Sequence, residues 1–205
     1  MARAVPVARP GPDYAAVFQR IEAKIPALVE EGRRRREEAE RLLAKLLRRP
    51  AARRWQWIER PGFANPALVH LLLEAGEARL PKAPAEALNL AQLAARLAFH
   101  LEPALLQMAP EAVQAFCLMG DARRQAGDFA PAERAFERAL LLALDDADRG
   151  RYCRGLGHLR WQQGRTDEGR ALLARSARLF AKAGAEPEAG TSRALLERLA
   201  ALPHP

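Results

Sequence analysis

The sequence predicts an all-α protein, and its composition, its apolar periodicity and an internal repeat all favour that class. Of the 205 residues, 49% are apolar and only 6% are aromatic. Ala, Leu, Arg and Glu, which are strong helix formers, are abundant, and β-branched residues are few. A chain of this length forms one large or two small domains with a real core. We therefore expect helices that pack through apolar stripes.

The clearest element is the stretch GDFAPAERAFERAL, residues 127–140. Ala132, Phe136 and Ala139 follow one another at spacings of four and three, so they share one helical face. Their small, large, small pattern is typical of two helices that cross closely. Gly127 precedes this face and follows a first helical run, where glycine most easily forms a left-handed cap. The stretch is predicted to be half of a helix-turn-helix unit.

The same plan recurs 37 residues later. Four positions correspond at this offset: Gly120 with Gly157, Gly127 with Gly164, Ala132 with Gly169, and Phe136 with Leu173. A single offset that covers four positions indicates a repeated unit.

These residues resemble the tetratricopeptide repeat, a helix-turn-helix unit of about 34 residues. With Val113 as the first residue, six of eight consensus positions match in kind, while Arg123 and Leu144 depart from the expected Tyr and Pro. The matching residues are Phe116, Met119, Gly120, Ala132, Phe136 and Ala139. A second, poorer unit starts at Gly150 and has Cys153, Leu156, Gly157, Gly169, Leu173 and Ser176 at those places. The chain is also similar to bacterial repeat proteins rich in Ala and Arg.

The resemblance covers residues 113–183 well, residues 64–100 loosely and the first 60 residues not at all. It implies an α-α superhelix, a tetratricopeptide-like solenoid of about three helix pairs. Residues 189–202 are expected to form a capping helix, with Ala194, Leu195 and Leu199 inward and Pro203 at its end. The predicted organisation is a flexible arm over residues 1–12, a basic helical segment over 13–60 and the repeat domain over 61–205.

The N-terminal segment has a heptad pattern. Apolar residues alternate at spacings of four and three, with Gly32 and Arg35 at two of the places where apolar residues are expected. The apolar positions are Tyr14, Phe18, Ile21, Ile25, Leu28, Ala39, Leu42 and Leu46. Pro26 either kinks the run or opens a second helix, so both a long bent helix and a helical hairpin are expected possibilities. The stripe is expected to pack on the repeats, on a second copy or on another protein.

The positive charge is concentrated in the first 60 residues. They hold 15 Lys or Arg against 8 Asp or Glu, and the rest holds 18 against 17. The run Arg33 to Arg36 is flanked by glutamates placed for i to i+4 pairs on a solvated helix. A cleaner basic cluster is a candidate nucleic-acid contact, because arginine neutralises phosphates and aromatics stack on bases. Its members are Arg48, Arg49, Arg53, Arg54, Trp55 and Trp57.

Family members bind along a concave groove lined by the first helix of each unit, which implies two sets of groove residues here. The first unit provides Gln114, Asp121, Arg124 and Gln125. The second provides Arg151, Arg154, His158, Trp161 and Gln162. Guanidinium, imidazole and indole groups together suit an acidic peptide or a terminal carboxylate. The Asn residues of carboxylate-gripping family members are missing, which argues against a dedicated clamp.

Catalytic and metal-binding signals are weak. The four histidines lack metal-ligand spacing, and no HExxH, GxSxG or phosphate-binding glycine loop occurs. The only serines, Ser176 and Ser192, fall inside predicted helices. We expect no enzyme activity, no metal and no cofactor.

The sequence therefore favours a cytoplasmic, non-enzymatic scaffold that binds a peptide or helix of another protein and does not associate with a membrane. Self-association through the N-terminal helices is a further expectation. Two alternatives stay open: a nucleic-acid-associated or transcription-linked regulator that uses the basic segment, and a structural subunit of a larger assembly.

Overall fold

A computed structural model describes residues 14–102 and 108–201, and over these ranges the protein is helical with no strand. The predicted all-α class is confirmed. The predicted arm over residues 1–12 and Pro203 lie outside the described residues, as do the side chains of Tyr14 and Ile21.

The heptad run of the N-terminal segment forms one continuous helix, α1 (Tyr14–Leu47), with Pro26 inside it. The alternative of a helical hairpin is therefore wrong. The expected ion pairs along its surface are present: Arg33 contacts Glu30 at 2.8 Å and Glu37 at 2.6 Å. Arg34 also contacts Glu30, at 3.0 Å, and Arg35 contacts Glu31. The acidic neighbours therefore neutralise most of the arginine run.

The chain divides into two compact units inside α1, between Glu38 and Ala39, whereas the sequence-based boundary followed residue 60. Ala39 and Leu46 are fully buried in the core of the second unit. The chain then passes through two short 3₁₀ turns (Ala51–Arg53 and Pro61–Phe63) and the one-turn helix α2 (Trp55–Ile58). Ile58 and Phe63 are buried in the same core.

In the part of the second unit that the structure describes, three consecutive helix pairs and a final helix follow. Their bounds are α3 (Pro66–Arg79), α4 (Pro84–Leu101), α5 (Ala109–Gln125), α6 (Phe129–Leu142), α7 (Asp146–Gln162), α8 (Thr166–Lys182) and α9 (Glu186–Ala200). Each of these helices packs against the next along the chain. The first helices of successive pairs also contact each other, α3 with α5 and α5 with α7.

The turns that join α5 to α6 and α7 to α8 have the same geometry. Gly127 and Gly164 adopt positive φ angles of 83° and 77°, which glycine accepts without steric cost. In each turn the residue after the glycine donates a 2.9 Å backbone hydrogen bond five residues back, Asp128 to Arg123 and Arg165 to Arg160. This is the 6→1 bond of a Schellman cap. The predicted glycine caps are confirmed, and Gly184 forms a third such turn before α9.

The helix crossings also follow one plan. A Cβ at Gly120 would lie 2.6 Å from the ring of Phe136, and a Cβ at Gly157 would lie 3.0 Å from Leu173. Phe136 and Leu173 are both fully buried. The ring of Phe136 also lies against Gly155 in the next pair. The pairs Gly120–Phe136 and Gly157–Leu173, which correspond in sequence, thus have the same surroundings, with a glycine against a fully buried large side chain.

Polar contacts join the last three helices. The Ser176 hydroxyl donates to the Gly150 carbonyl at 2.8 Å and lies 3.0 Å from the Ser192 hydroxyl, and both serines are fully buried. In α9, Leu195 and Leu199 are buried as predicted, but Ala194 is exposed. The expectation that Ala194 points inward is therefore wrong, because Ser192 takes the inward place.

Within the described ranges, none of the helices combines the length and the apolar character that crossing a membrane requires.

Candidate ligand-binding groove

Three helices of the second unit contribute side chains to one concave surface, which we call the basic groove. On α5, Asp121 and Arg124 are three residues apart, and on α7, Arg154 and His158 are four apart. Residues at these spacings lie on the same face of a helix. On α9, Thr191, Leu195 and Arg198 follow at spacings of four and three. Helix periodicity therefore places each set on one face of its own helix, and the packing of the three helices brings these faces to a common cavity.

The basic groove holds a cavity of about 590 Å³ and an adjoining one of about 260 Å³. The two share Leu80, Asp121 and Arg154. The larger cavity is lined by Leu80, Asp121, Arg124, Gln125, Arg154, Gly155, His158, Thr191, Ala194, Leu195 and Arg198. The smaller one adds Glu77, Gln114, Cys117, Leu118 and Arg151. Together they form a site of the size that ligand pockets usually have.

Most of the groove residues expected from the sequence line these cavities. They are Gln114, Asp121, Arg124, Gln125, Arg151, Arg154 and His158. Trp161 and Gln162 line neither cavity. Trp161 is 7% exposed and packs in a small core with Leu173, Leu195 and Leu199, while Gln162 is exposed elsewhere.

The arginines of the larger cavity differ in their partners. Arg124 is buried and donates to Asp121 at 3.1 Å. Arg154 lies 5.3 Å from the ring of Phe180, and neither Arg154 nor Arg198 forms a hydrogen bond or ion pair among residues 14–102 and 108–201. Two guanidinium groups therefore face the cavity with their donors available to a ligand.

The field in the cavity is visible in two pKa shifts. Burial lowers the pKa of His158 to about 4, and the positive charges of Arg124, Arg198 and Arg154 add to that effect. Burial raises the pKa of Asp121, against the opposing influence of Arg124. His158 is therefore a neutral imidazole at pH 7, with one nitrogen that donates and one that accepts.

The smaller cavity is more completely paired within the protein. Gln114 donates to Glu77 at 2.8 Å, and Arg151 donates to the buried Asp148 at 3.4 Å. Burial raises the pKa of the Cys117 thiol far above its ordinary value, so this thiol is not a nucleophile. The chemistry available to a ligand is thus concentrated in the larger cavity.

The contribution of α9 was not expected from the sequence. The resemblance implies groove positions only on the first helices of repeat units and predicts that α9 is a cap. Arg198 lies three residues after the buried Leu195, a spacing that places both on neighbouring parts of one face. The spacing of Leu195 and Arg198 is the feature of the sequence that indicates a contribution of α9 to the groove.

The basic cluster around α2 is partly occupied by structural contacts. Arg54 is 7% exposed and donates to the Asn89 side chain at 3.1 Å. The guanidinium groups of Arg49 and Arg60 stack on Trp57 at 4.3 and 3.9 Å. The remaining members of the cluster, Arg48, Arg53 and Trp55, are exposed.

Among the described residues, no three His, Cys, Asp or Glu side chains come together in a way that could hold a metal ion. The geometry defines a class, an all-helical protein built from glycine-capped helix pairs with a basic groove. No family model, curated protein or solved structure matches the chain.

Proposed function

We propose that this protein is a non-enzymatic interaction module that binds an acidic segment of a partner protein, as an extended peptide or a helix, in the basic groove. The observation that carries the proposal is the larger cavity, where Arg154 and Arg198 have no carboxylate partner among the described residues. A carboxylate supplied by a partner would complete these hydrogen bonds.

The shape of the groove favours a peptide over a small ion. Leu80 and Leu195 give the larger cavity aliphatic walls, which suit apolar side chains between the acidic ones. The adjoining cavity extends the surface along α5 and α7. The repeated helix pairs and their resemblance to tetratricopeptide units support a solenoid of that kind, whose known mode of use is peptide binding.

A fluorescent ten-residue peptide of alternating Glu and Leu is a suitable probe. We expect the wild-type chain to bind it and Arg154→Gln/Arg198→Gln to bind it at least about tenfold more weakly, since each charge-assisted hydrogen bond contributes over 1 kcal/mol. Fluorescence anisotropy measures both affinities. Within the described ranges neither Arg154 nor Arg198 holds an ion pair, so the variant is expected to keep its fold.

Arg134→Gln is the matched control. Arg134 is exposed on α6 and lines a separate cavity. Its substitution by Gln removes one positive charge, and we expect the variant to bind the peptide within about twofold of the wild-type affinity. Equal losses in both variants would mean that the peptide responds to net charge alone. No binding of the Glu–Leu peptide, or equal binding of a Lys–Leu peptide, would contradict the proposal.

A further inference from the structure

The first half of α1 exposes an apolar stripe. The exposed fractions are 62% for Phe18, 48% for Ile25, 63% for Leu28 and 66% for Val29. Phe18, Ile25 and Leu28 are separated by seven and three residues, so they share one face, and Val29 borders it. Large apolar side chains clustered on one exposed face mark an interaction surface.

The spacing of this stripe identifies the kind of partner. In heptad notation Phe18, Ile25 and Gly32 are a positions, and Leu28 and Arg35 are d positions. A strict seven-residue repeat keeps its seam facing a second helix in a left-handed supercoil. On the polar side, the ion pairs of Arg33 and Arg35 with neighbouring glutamates leave no uniformly basic face for an anionic membrane.

A second copy of the same helix fits this seam poorly in a parallel, in-register arrangement. In a parallel, in-register pair, each a or d residue faces its own copy, so Arg35 would face Arg35 and Gly32 would face Gly32. The first contact buries two like charges and the second leaves a gap. Both are unfavourable at the centre of a coiled coil.

We propose that two copies of this chain associate through an antiparallel pairing of their α1 helices. With Ile25 opposite Leu28 of the other copy, the same register places Phe18 opposite Arg35. A guanidinium over an aromatic ring is a favourable contact. Antiparallel pairing also places the g positions of the two helices side by side, so Lys24 meets Glu31 of the other copy. By the twofold symmetry each of these contacts is made twice.

Pro26 is compatible with this arrangement. It is a b position, one residue after Ile25, and therefore faces away from the seam. Pro26 cannot donate a backbone hydrogen bond in either the unpaired or the paired helix. Its presence therefore adds no free-energy cost to pairing.

Sedimentation velocity of the full chain over a wide concentration range tests the association. We expect a monomer–dimer equilibrium, with a dissociation constant at least about tenfold higher for Ile25→Glu/Leu28→Glu. Ala27→Glu is the matched control, because residue 27 is exposed at a c position and should leave the equilibrium unchanged. Circular dichroism is expected to show the same helicity for all three proteins.

Cross-linking tests the direction. With a short bismaleimide reagent, Phe18→Cys mixed with Arg35→Cys should give a cross-linked dimer, and each variant alone should not. The native thiols Cys117 and Cys153 are buried, and the parent chain shows any background. Cross-linking of each variant alone would overturn the antiparallel pairing. A monomer at every concentration, including one that binds only anionic vesicles, would overturn the association itself.

Discussion

His158 is the residue that reports most directly on the basic groove. Three guanidinium groups act on one imidazole, so the protonated form is disfavoured both by burial and by like charge. Because the unfolded chain titrates near 6.5, the unfolded state binds more protons between about pH 6.5 and 4. The contribution of His158 to the free energy of unfolding therefore falls as the pH is lowered through that window.

An NMR titration of the imidazole should give a pKa of about 4 for His158. Arg198→Gln should raise this pKa, because it removes one of the charges that oppose protonation. Arg134→Gln, at an exposed site on α6, should leave it unchanged. A wild-type value near 6.5 would show that the imidazole is solvated and that the groove is open to water at this point.

The lowered pKa of His158 also affects how the free energy of unfolding depends on pH. Urea unfolding at pH 7 and pH 5 should show a larger loss on acidification for wild type than for His158→Gln. Burial also raises the pKa values of Asp121 and Asp148. Raised carboxyl pKa values lower the free energy of unfolding as the pH rises, which is opposite to the effect of His158. Comparison with His158→Gln therefore isolates the contribution of the histidine. An identical pH dependence in the two proteins would contradict the assignment.

The groove residues of α5 and α7 are the ones that the resemblance to tetratricopeptide repeats implies, because family members present these first-helix positions to a concave surface. The resemblance missed the burial of Trp161, which depends on a neighbour distant in sequence. A Cβ at Gly169 would lie 3.1 Å from the Trp161 backbone nitrogen, so glycine at this place lets α8 approach α7. The indole is then enclosed by Leu195 and Leu199 of α9.

At the scale of the element, the helix pair is the part that the sequence predicts best. The glycine at each turn and the small residue at each crossing are local requirements, so a 37-residue offset in sequence carries over to equivalent positions in space. The division of α1 between two units was not predictable in this way. The heptad frame continues through it past Gly32 and Arg35, and the burial of Ala39 and Leu46 distinguishes its second half.

The crossings give a direct stability test. Gly120→Ala and Gly157→Ala each force a methyl group against Phe136 or Leu173, and we expect each to lower the free energy of unfolding by about 1 to 3 kcal/mol. Gly190→Ala is the control. Gly190 lies inside α9 and has no atom within 4 Å of an added Cβ, so alanine should be neutral or stabilise by up to about 1 kcal/mol. Similar effects at all three glycines would contradict the close crossings.

For the whole molecule, the excess positive charge and the arginines of the basic groove lie in different parts of the sequence. Most of the excess positive charge belongs to the first 60 residues, and much of it is paired with glutamate along α1. The basic groove lies in a part of the sequence that is nearly neutral. The preference for acidic ligands that we propose therefore depends on where Arg124, Arg154 and Arg198 are placed, and less on net charge.

The most direct test is an NMR titration of isotope-labelled protein with the Glu–Leu peptide, following backbone and side-chain signals together. Binding in the basic groove predicts the largest shift changes at Asp121, His158 and Arg198, on three different helices, with little change at Arg134 on α6. Changes confined to α1 or to the cluster around Trp55, or the absence of any change at saturating peptide, would contradict the account.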